Sequence, residues 1–336
     1  MNANKILKKI SVILFLTLCF TGKLCAFELF QFSVAPKYAI QNGQVNEYVL
    51  YSNGNLLSEL NWEIQNMSML GFNASMGWEM LLLETNCLWG FPKESGILMD
   101  SDWQIQSMKT DYSESDNYID YMGDIELRIG INIKTWNFMY IIPYFGINYH
   151  RVKFTARDGT AWYGSGKKTM VAYNDASVAP QDLYELAVAR LGDSAIHEVI
   201  TYDRETFNYI LGLKVKVAFL SRFTISSDCG LSLFTQINSL DDHILKGMLL
   251  PSASSVFLDK MQDWFKSYYL GTEVDVKIWK GLSAGIGLRF CMINQMIGKD
   301  MERKKSAKSY SNSKNGEKAA ASGYSWNIET FVRYSF

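Results

Sequence analysis

Cysteine is scarce in this chain, five in 336 residues, and two of the five fall within the first 26. The other three, Cys87, Cys229 and Cys291, are odd in number and widely spaced. That excludes a disulfide-built scaffold, leaves at least one thiol free, and predicts that all three pack as small apolar groups. Prolines number only five, so long unbroken strands are permitted. Beyond the N-terminus no run approaches the ~20 consecutive apolar residues of a membrane helix, and hardly any stretch carries the period of an amphipathic helix. An excess of positive charge is missing too: 33 Lys and Arg stand against 34 Asp and Glu, which offers no basic surface for nucleic acid.

The N-terminus carries Lys5, Lys8 and Lys9, an apolar run from Ile10 to Phe20, and then Leu24-Cys25-Ala26, with a small residue at a cleavage point. This predicts a secretory signal peptide over 1–26, cut after Ala26, and one domain over 27–336. Removing it takes away four lysines (5, 8, 9 and 23) and no acids, so the formal charge moves from -1 to -5.

Aromatic residues make up 14% of the chain, and the pattern after Phe30 is strand upon strand. In 124–134, Ile125, Leu127, Ile129, Ile131 and Ile133 share one face; Asp124, Glu126, Arg128, Asn132 and Lys134 share the other. Leu213, Val215, Val217 and Phe219 alternate with Lys214 and Lys216, and Val274, Val276 and Ile278 with Glu273, Asp275 and Lys277. A soluble barrel with one packed face competes with this reading, but it would have to bury those charges unpaired in a dry core. Apolar outside and charged inside is the pattern of a transmembrane barrel. Trp326, Ile328, Thr330, Val332, Tyr334 and Phe336 form a final alternating strand, and its aromatic ending resembles the insertion signal of bacterial outer-membrane barrels. The strands fall near 30–52, 56–79, 82–92, 117–136, 138–163, 196–219, 222–243, 264–280, 281–299 and 323–336, an even number, as an antiparallel ring requires. The predicted fold is therefore all-β, a ten-stranded antiparallel transmembrane β-barrel whose strands rise above the outer surface. Short turns would face the periplasm, and long polar connections near 93–116, 164–195, 244–263 and 300–322 would face outside. The basic stretch Lys299, Arg303, Lys304, Lys305 and Lys308 reads as a mobile loop and a target for self-cleavage.

Two acidic stretches at the outer strand ends carry chemistry. In an extended strand Asp100 and Asp102 share a face, as do Asp241 and His243. A histidine oriented by one carboxylate, facing two more across a water-sized gap, is a device for activating water. Parity opposes it on the seventh strand, where Phe223, Ile225, Leu231, Leu233 and Ile237 set odd positions outward. A bulge between Ile237 and Asp241 is predicted to reverse the faces. His150 and His197 have no comparable acidic setting in the sequence.

Met99-Asp100-Ser101-Asp102-Trp103 and Asp241-Asp242-His243, taken in order with Glu47-Tyr48-Val49, Ser58-Glu59-Leu60-Asn61-Trp62 and Phe154-Thr155-Ala156-Arg157, resemble the omptins, bacterial outer-membrane aspartyl endopeptidases. The resemblance implies a hydrolase at the cell outer membrane with its active site facing outside. It also implies catalysis by water held between Asp241–His243 and Asp100–Asp102, with no metal. Three carboxylates and a histidine could instead ligate a divalent cation, and a non-catalytic adhesin or small pore is the competing function. Cleavage beside basic residues is implied through Glu47, although Ser239 stands where the pattern has a second acid, which implies a weakened preference. Peptide or protein substrates and an activating lipopolysaccharide are the implied partners, and no other cofactor is. Arg151 matches a lipid-binding position, whereas Tyr149, Ile147 and Glu205 depart from the pattern.

Overall fold

The computed structural model describes residues 30–336 except 106, 314 and 315; the predicted signal peptide, 1–26, lies outside the described residues. Alternation of apolar and charged side chains resolves here into two environments. Ile125, Leu127, Ile129, Ile131 and Ile133 all point outward and are exposed, while Glu126 between them is buried. No helix among the described residues is long and apolar enough to cross a membrane, so the outward apolar belt belongs to the strands.

The chain runs β1 (Phe30–Leu50), β2 (Leu56–Trp78), β3 (Leu81–Gly90), β4 (Lys93–Asp102), β5 (Asp111–Ile131), β6 (Ile133–Trp136), β7 (Met139–Tyr163), β8 (Gln181–Asp182), α1 (Leu183–Leu191) and β9 (Glu198–Phe219). It continues through β10 (Phe223–Asp242), α2 (Ile244–Leu249), β11 (Ser254–Asp263), β12 (Ser267–Trp279), β13 (Leu282–Lys304), β14 (Ser311–Asn312) and β15 (Lys318–Ser335). β3 and β4 form one interrupted strand between β2 and β5. Likewise β11 and β12 form one between β10 and β13, and β6 extends β5 along β7. Counted so, the ring has ten strands, closed where β1 pairs antiparallel with β15 from Ser33↔Ser335 to Leu50↔Lys318.

Three of the predicted long connections contain parts of the ring strands instead. β4, the first turn of β5, β11, the end of β13 and the start of β15 all lie in stretches whose polar composition resembles loop. Their backbones stay in the ladder because above the membrane both faces of a strand can be polar. With β7 at 25 residues and β13 at 23, against the ~9–11 that cross a bilayer, the upper barrel stands clear of the belt.

The interior is layered. Beside the belt, Lys37, Glu84, Glu126, Arg128, Lys214, Asp228, Glu273, Arg289, Glu329 and Arg333 fill the lumen with ion pairs, among them Lys37–Glu329 at 2.6 Å and Arg289–Glu126 at 2.8 Å. Each charge enters low dielectric already matched, which such burial demands. Lys134 and Lys277, expected in this network, stand exposed at the short-turn end. Above the charges lies an apolar layer in which buried Trp62 is stacked between Phe154 at 5.3 Å and Tyr202 at 5.7 Å, with Leu60, Leu98, Ile119 and Val152 around them. Of the cysteines, Cys87 is buried and Cys291 half-buried. Cys229 is exposed on the outer wall rather than packed, and none of these three is in a disulfide.

Candidate active site

Above the apolar layer the barrel opens as a mouth, and two bulges decide which side chains line it. On β10 the ladder slips between Ser232 and Phe234. Ser232 and Thr235, three residues apart, are both buried, and from there Ile237, Ser239 and Asp241 point inward while Leu240 is exposed. The reversal anticipated beyond Ile237 thus occurs at Leu233, and Ile237 itself is an inward core residue. On β4 the slip lies between Glu94 and Ile97. Gly96 takes φ +73 there, and a Cβ would stand 2.5 Å from Glu63 Oε2, so glycine is required. Glu63 Oε2 instead accepts the Ile97 N–H at 3.1 Å. Beyond it Leu98 is buried in the apolar layer, and Asp100 and Asp102 continue on its face.

β4 and β10 are separated on one side by only β5, β7 and β9, so the two pairs look at each other across the mouth. Nε2 of His243 lies 2.6 Å from Oδ2 of Asp241. The histidine is the first residue beyond β10: its N–H donates to the Ser255 carbonyl at 2.8 Å, and its own carbonyl accepts from Gly247 at 2.9 Å in α2. Its ring stands edge-on to Phe257 at 5.5 Å. α2 is braced from behind, because Leu245 packs with Leu183 and Ala187 of α1 and with Ala161 of β7. Asp182 caps α1 by accepting the Glu185 N–H at 2.8 Å.

Charge at the mouth is strongly acidic. Burial pushes the Asp100 carboxyl well above the usual range, and Asp102 and Asp241 push it further; Lys246 in α2 works against them. Asp102 is raised as well, chiefly by burial, although the Ser58 hydroxyl and His243 oppose the shift. Two like charges sharing so small a space favour one proton between them. Glu47 on β1 is 3% exposed, and burial followed by Asp241, Asp259, Asp100 and Asp300 raises its carboxyl far above its ordinary value. Its Oε2 and the Oδ1 of Asp241 are buried with no hydrogen-bond partner. The cations nearby are held by aromatic rings. Lys246 lies 5.7 Å from the Phe257 ring, and Lys109 sits 3.9 Å from Tyr112 and 4.8 Å from Tyr173.

Five of the six residues singled out in the sequence, Glu47, Asp100, Asp102, Asp241 and His243, line this mouth. Arg151 does not: it projects from the outer wall, bonded to Asp203 at 2.7 and 3.0 Å, 3.8 Å from Glu205, and over Tyr121. His197 has an acidic partner after all, with Nδ1 2.7 Å from Asp158 and the ring stacked on Tyr184 at 4.1 Å. The sequence separation of 39 between Asp158 and His197 hid this rim clasp from pattern reading. His150 pairs in register with Asp124 inside the barrel. Asp259, Asp300 and Lys246 also border the mouth and carried no signal in the sequence, since the first two lie in stretches read as loop. No group of three or more His, Cys, Asp or Glu among the described residues is arranged to hold a metal ion.

Among known proteins, the profile of the omptin family matches residues 30–335. No curated protein matches the chain. Of solved structures, the outer membrane protease OmpT from Escherichia coli superposes with a TM-score of 0.75 at 15% identity, covering 94% of this chain and 99% of that one. The translocator domain of the autotransporter NalP from Neisseria meningitidis reaches 0.36 at 9% identity, covering 99% and 98%. The likeness to OmpT extends to the fold, and the likeness to NalP is too slight to carry any argument.

Proposed function

The chain belongs to the omptin family, and from that premise we propose that it is an endopeptidase of the bacterial outer membrane whose mouth opens to the outside, where Asp241, His243, Asp100 and Asp102 hydrolyse peptide bonds. The observation that carries this reading is the 2.6 Å contact between Asp241 and His243, set at the junction of β10 and α2 opposite the two carboxylates of β4. With Nε2 turned to Asp241, Nδ1 is the ring nitrogen left to exchange a proton. A water between the pairs gives that proton to His243 as its oxygen bonds to the scissile carbonyl carbon. Asp241 stabilises the imidazolium that forms. The proton shared by Asp100 and Asp102 offers a hydrogen bond to the carbonyl oxygen, and their second carboxylate orients the water. When the C–N bond breaks, His243 returns its proton to the departing amine. No covalent acyl-enzyme and no metal are needed. We further propose that residues 1–26 direct export and that Glu47 draws basic side chains into the mouth. On the outer wall an activating lipid phosphate would meet Arg151 already held by Asp203, so lipid adds little here.

The test is cleavage of fluorogenic peptides containing Arg and Lys by refolded protein. His243→Ala, Asp100→Asn and Asp102→Asn are each expected to lose ~10²–10⁴-fold in rate while still folding as barrels. Full activity in all three variants would replace this mechanism with another, and no activity in the wild type would favour a binding barrel.

A further inference from the structure

Position 239, where the family pattern carries an acid, is serine, and the sequence alone implies a poorer reader of positive charge. The structure reverses that implication. Ser239 on β10 pairs in register with Asp259 on β11, and Asp259 pairs with Asp300 on β13. All three point into the mouth and are buried. The Ser239 hydroxyl donates to Asp259 Oδ2 at 3.2 Å, and Asp259 and Asp300 stand close enough to share a proton. Asp300 also has a hydrogen bond with Ser313, but its Oδ1 has no donor, and neither has Glu47 Oε2 on the other flank. Between these flanks β15 presents only buried Ala319 and Ala321, side chains too short to fill the space.

Among the described residues none of Glu47, Asp259 and Asp300 forms an ion pair with lysine or arginine. Arg204, which feels the charge of Glu47, donates to the Ser322 carbonyl at 2.7 Å instead. The lumen further down contrasts with this, since Glu84, Glu126, Asp228, Glu273, Asp275 and Glu329 are each paired with lysine or arginine. Buried carboxylates left open on one side are an unmet demand for positive charge, and the absence of metal-holding geometry favours an organic cation that meets several oxygens at once.

We propose that Asp259 and Asp300 complete, with Glu47, a pocket that takes the guanidinium or ammonium group of a substrate side chain, so that the carboxylate missing from position 239 is supplied from the two neighbouring strands. This rests on the peptidase reading above. Selection for arginine and lysine is then as strong as with an acid at 239, and Ser239 serves to orient Asp259.

Matched peptides differing at one residue, arginine against the neutral isostere citrulline and lysine against norleucine, isolate the charge. The wild type is expected to prefer the charged member. In Asp259→Asn and Asp300→Asn the ratio of kcat/KM values should shrink by roughly tenfold or more, because the charged peptide loses most. Ser239→Ala, a milder change, should shrink it less. An unchanged ratio in both Asn variants, or no discrimination by the wild type, overturns the proposal. Agmatine binding, followed by tryptophan fluorescence, separates pocket from catalysis. If no peptide is cut, the peptidase reading fails, yet agmatine binding that survives in His243→Ala and is lost in Asp259→Asn still supports the pocket. No agmatine binding by the wild type rejects it.

Discussion

A carboxylate buried without a counter-ion favours its protonated form, and the mouth of this barrel holds several such groups at the expense of stability. Asp300 is raised to about 6, by burial first and then by Glu317, Glu302 and Asp241, whereas an unfolded aspartate titrates near ~4. Between those values the folded chain keeps a proton that the unfolded chain has released. Stability therefore declines as pH rises through the window, and the loss is complete above it. Asp300→Asn should accordingly raise the melting temperature at about pH 7.5 and leave it unchanged near pH 4, as read by the heat-dependent mobility of the barrel on gels. An equal shift at both values, or a lower melting temperature at the higher one, would contradict this account. Lys246 acts in the opposite sense, holding down the carboxyls of Asp100 and Asp102 that burial raises. Its replacement by alanine should move the acid limb of the kcat/KM profile to higher pH. A limb that stays put would mean the lysine's field does not reach the reacting groups.

Elements, more than residues, separate what could be read in the sequence from what could not. Alternation in 124–134, 213–219 and 326–336 was legible because each inward charge alternates with an outward apolar residue, and the membrane belt enforces that rule. Above the belt the rule lapses, and β4, β11 and the upper part of β13 looked like loop for that reason. The need for a bulge on β10 was legible from the parity of Phe223 and Asp241, but its place was not, because Ile237 reads equally well as lipid-facing or as core. The basic stretch near Arg303 illustrates the cost of missing an upper strand. Arg303 and Lys304 pair with Val256 and Ser254, the Arg303 guanidinium donates to the carbonyls of Lys305 and Ala307, and it stacks over Tyr310 at 5.1 Å. A paired strand must fray before a protease can hold it in extended form. Purified protein should thus stay whole on denaturing gels over a time in which a free peptide of the same sequence is cut. A large and a small fragment from the wild type, absent in His243→Ala, would show that β13 opens readily.

At the scale of the whole molecule, ten strands carry two structures stacked end to end: a matched lattice of charges within the membrane belt and an unmatched acidic mouth above it. The lattice is densely paired, Arg128 alone engaging Glu126 and Asp228 at 2.8 and 2.7 Å, and charges so matched are expected to obstruct ions. Planar-bilayer recordings should show no porin-like current steps, and steady conductance would mean the ion pairs part in the membrane. The layer of Trp62, Phe154 and Tyr202 between the two structures has a consequence for traffic. On the proposed peptidase reading, with the mouth opening outward, a peptide that enters meets this layer as a floor, so both fragments leave by the way the substrate came, and the cell gains nothing inward from the cut itself. Whatever benefit follows has to lie in what is destroyed or released on the substrate's own side of the membrane, and any uptake of the pieces falls to a different protein.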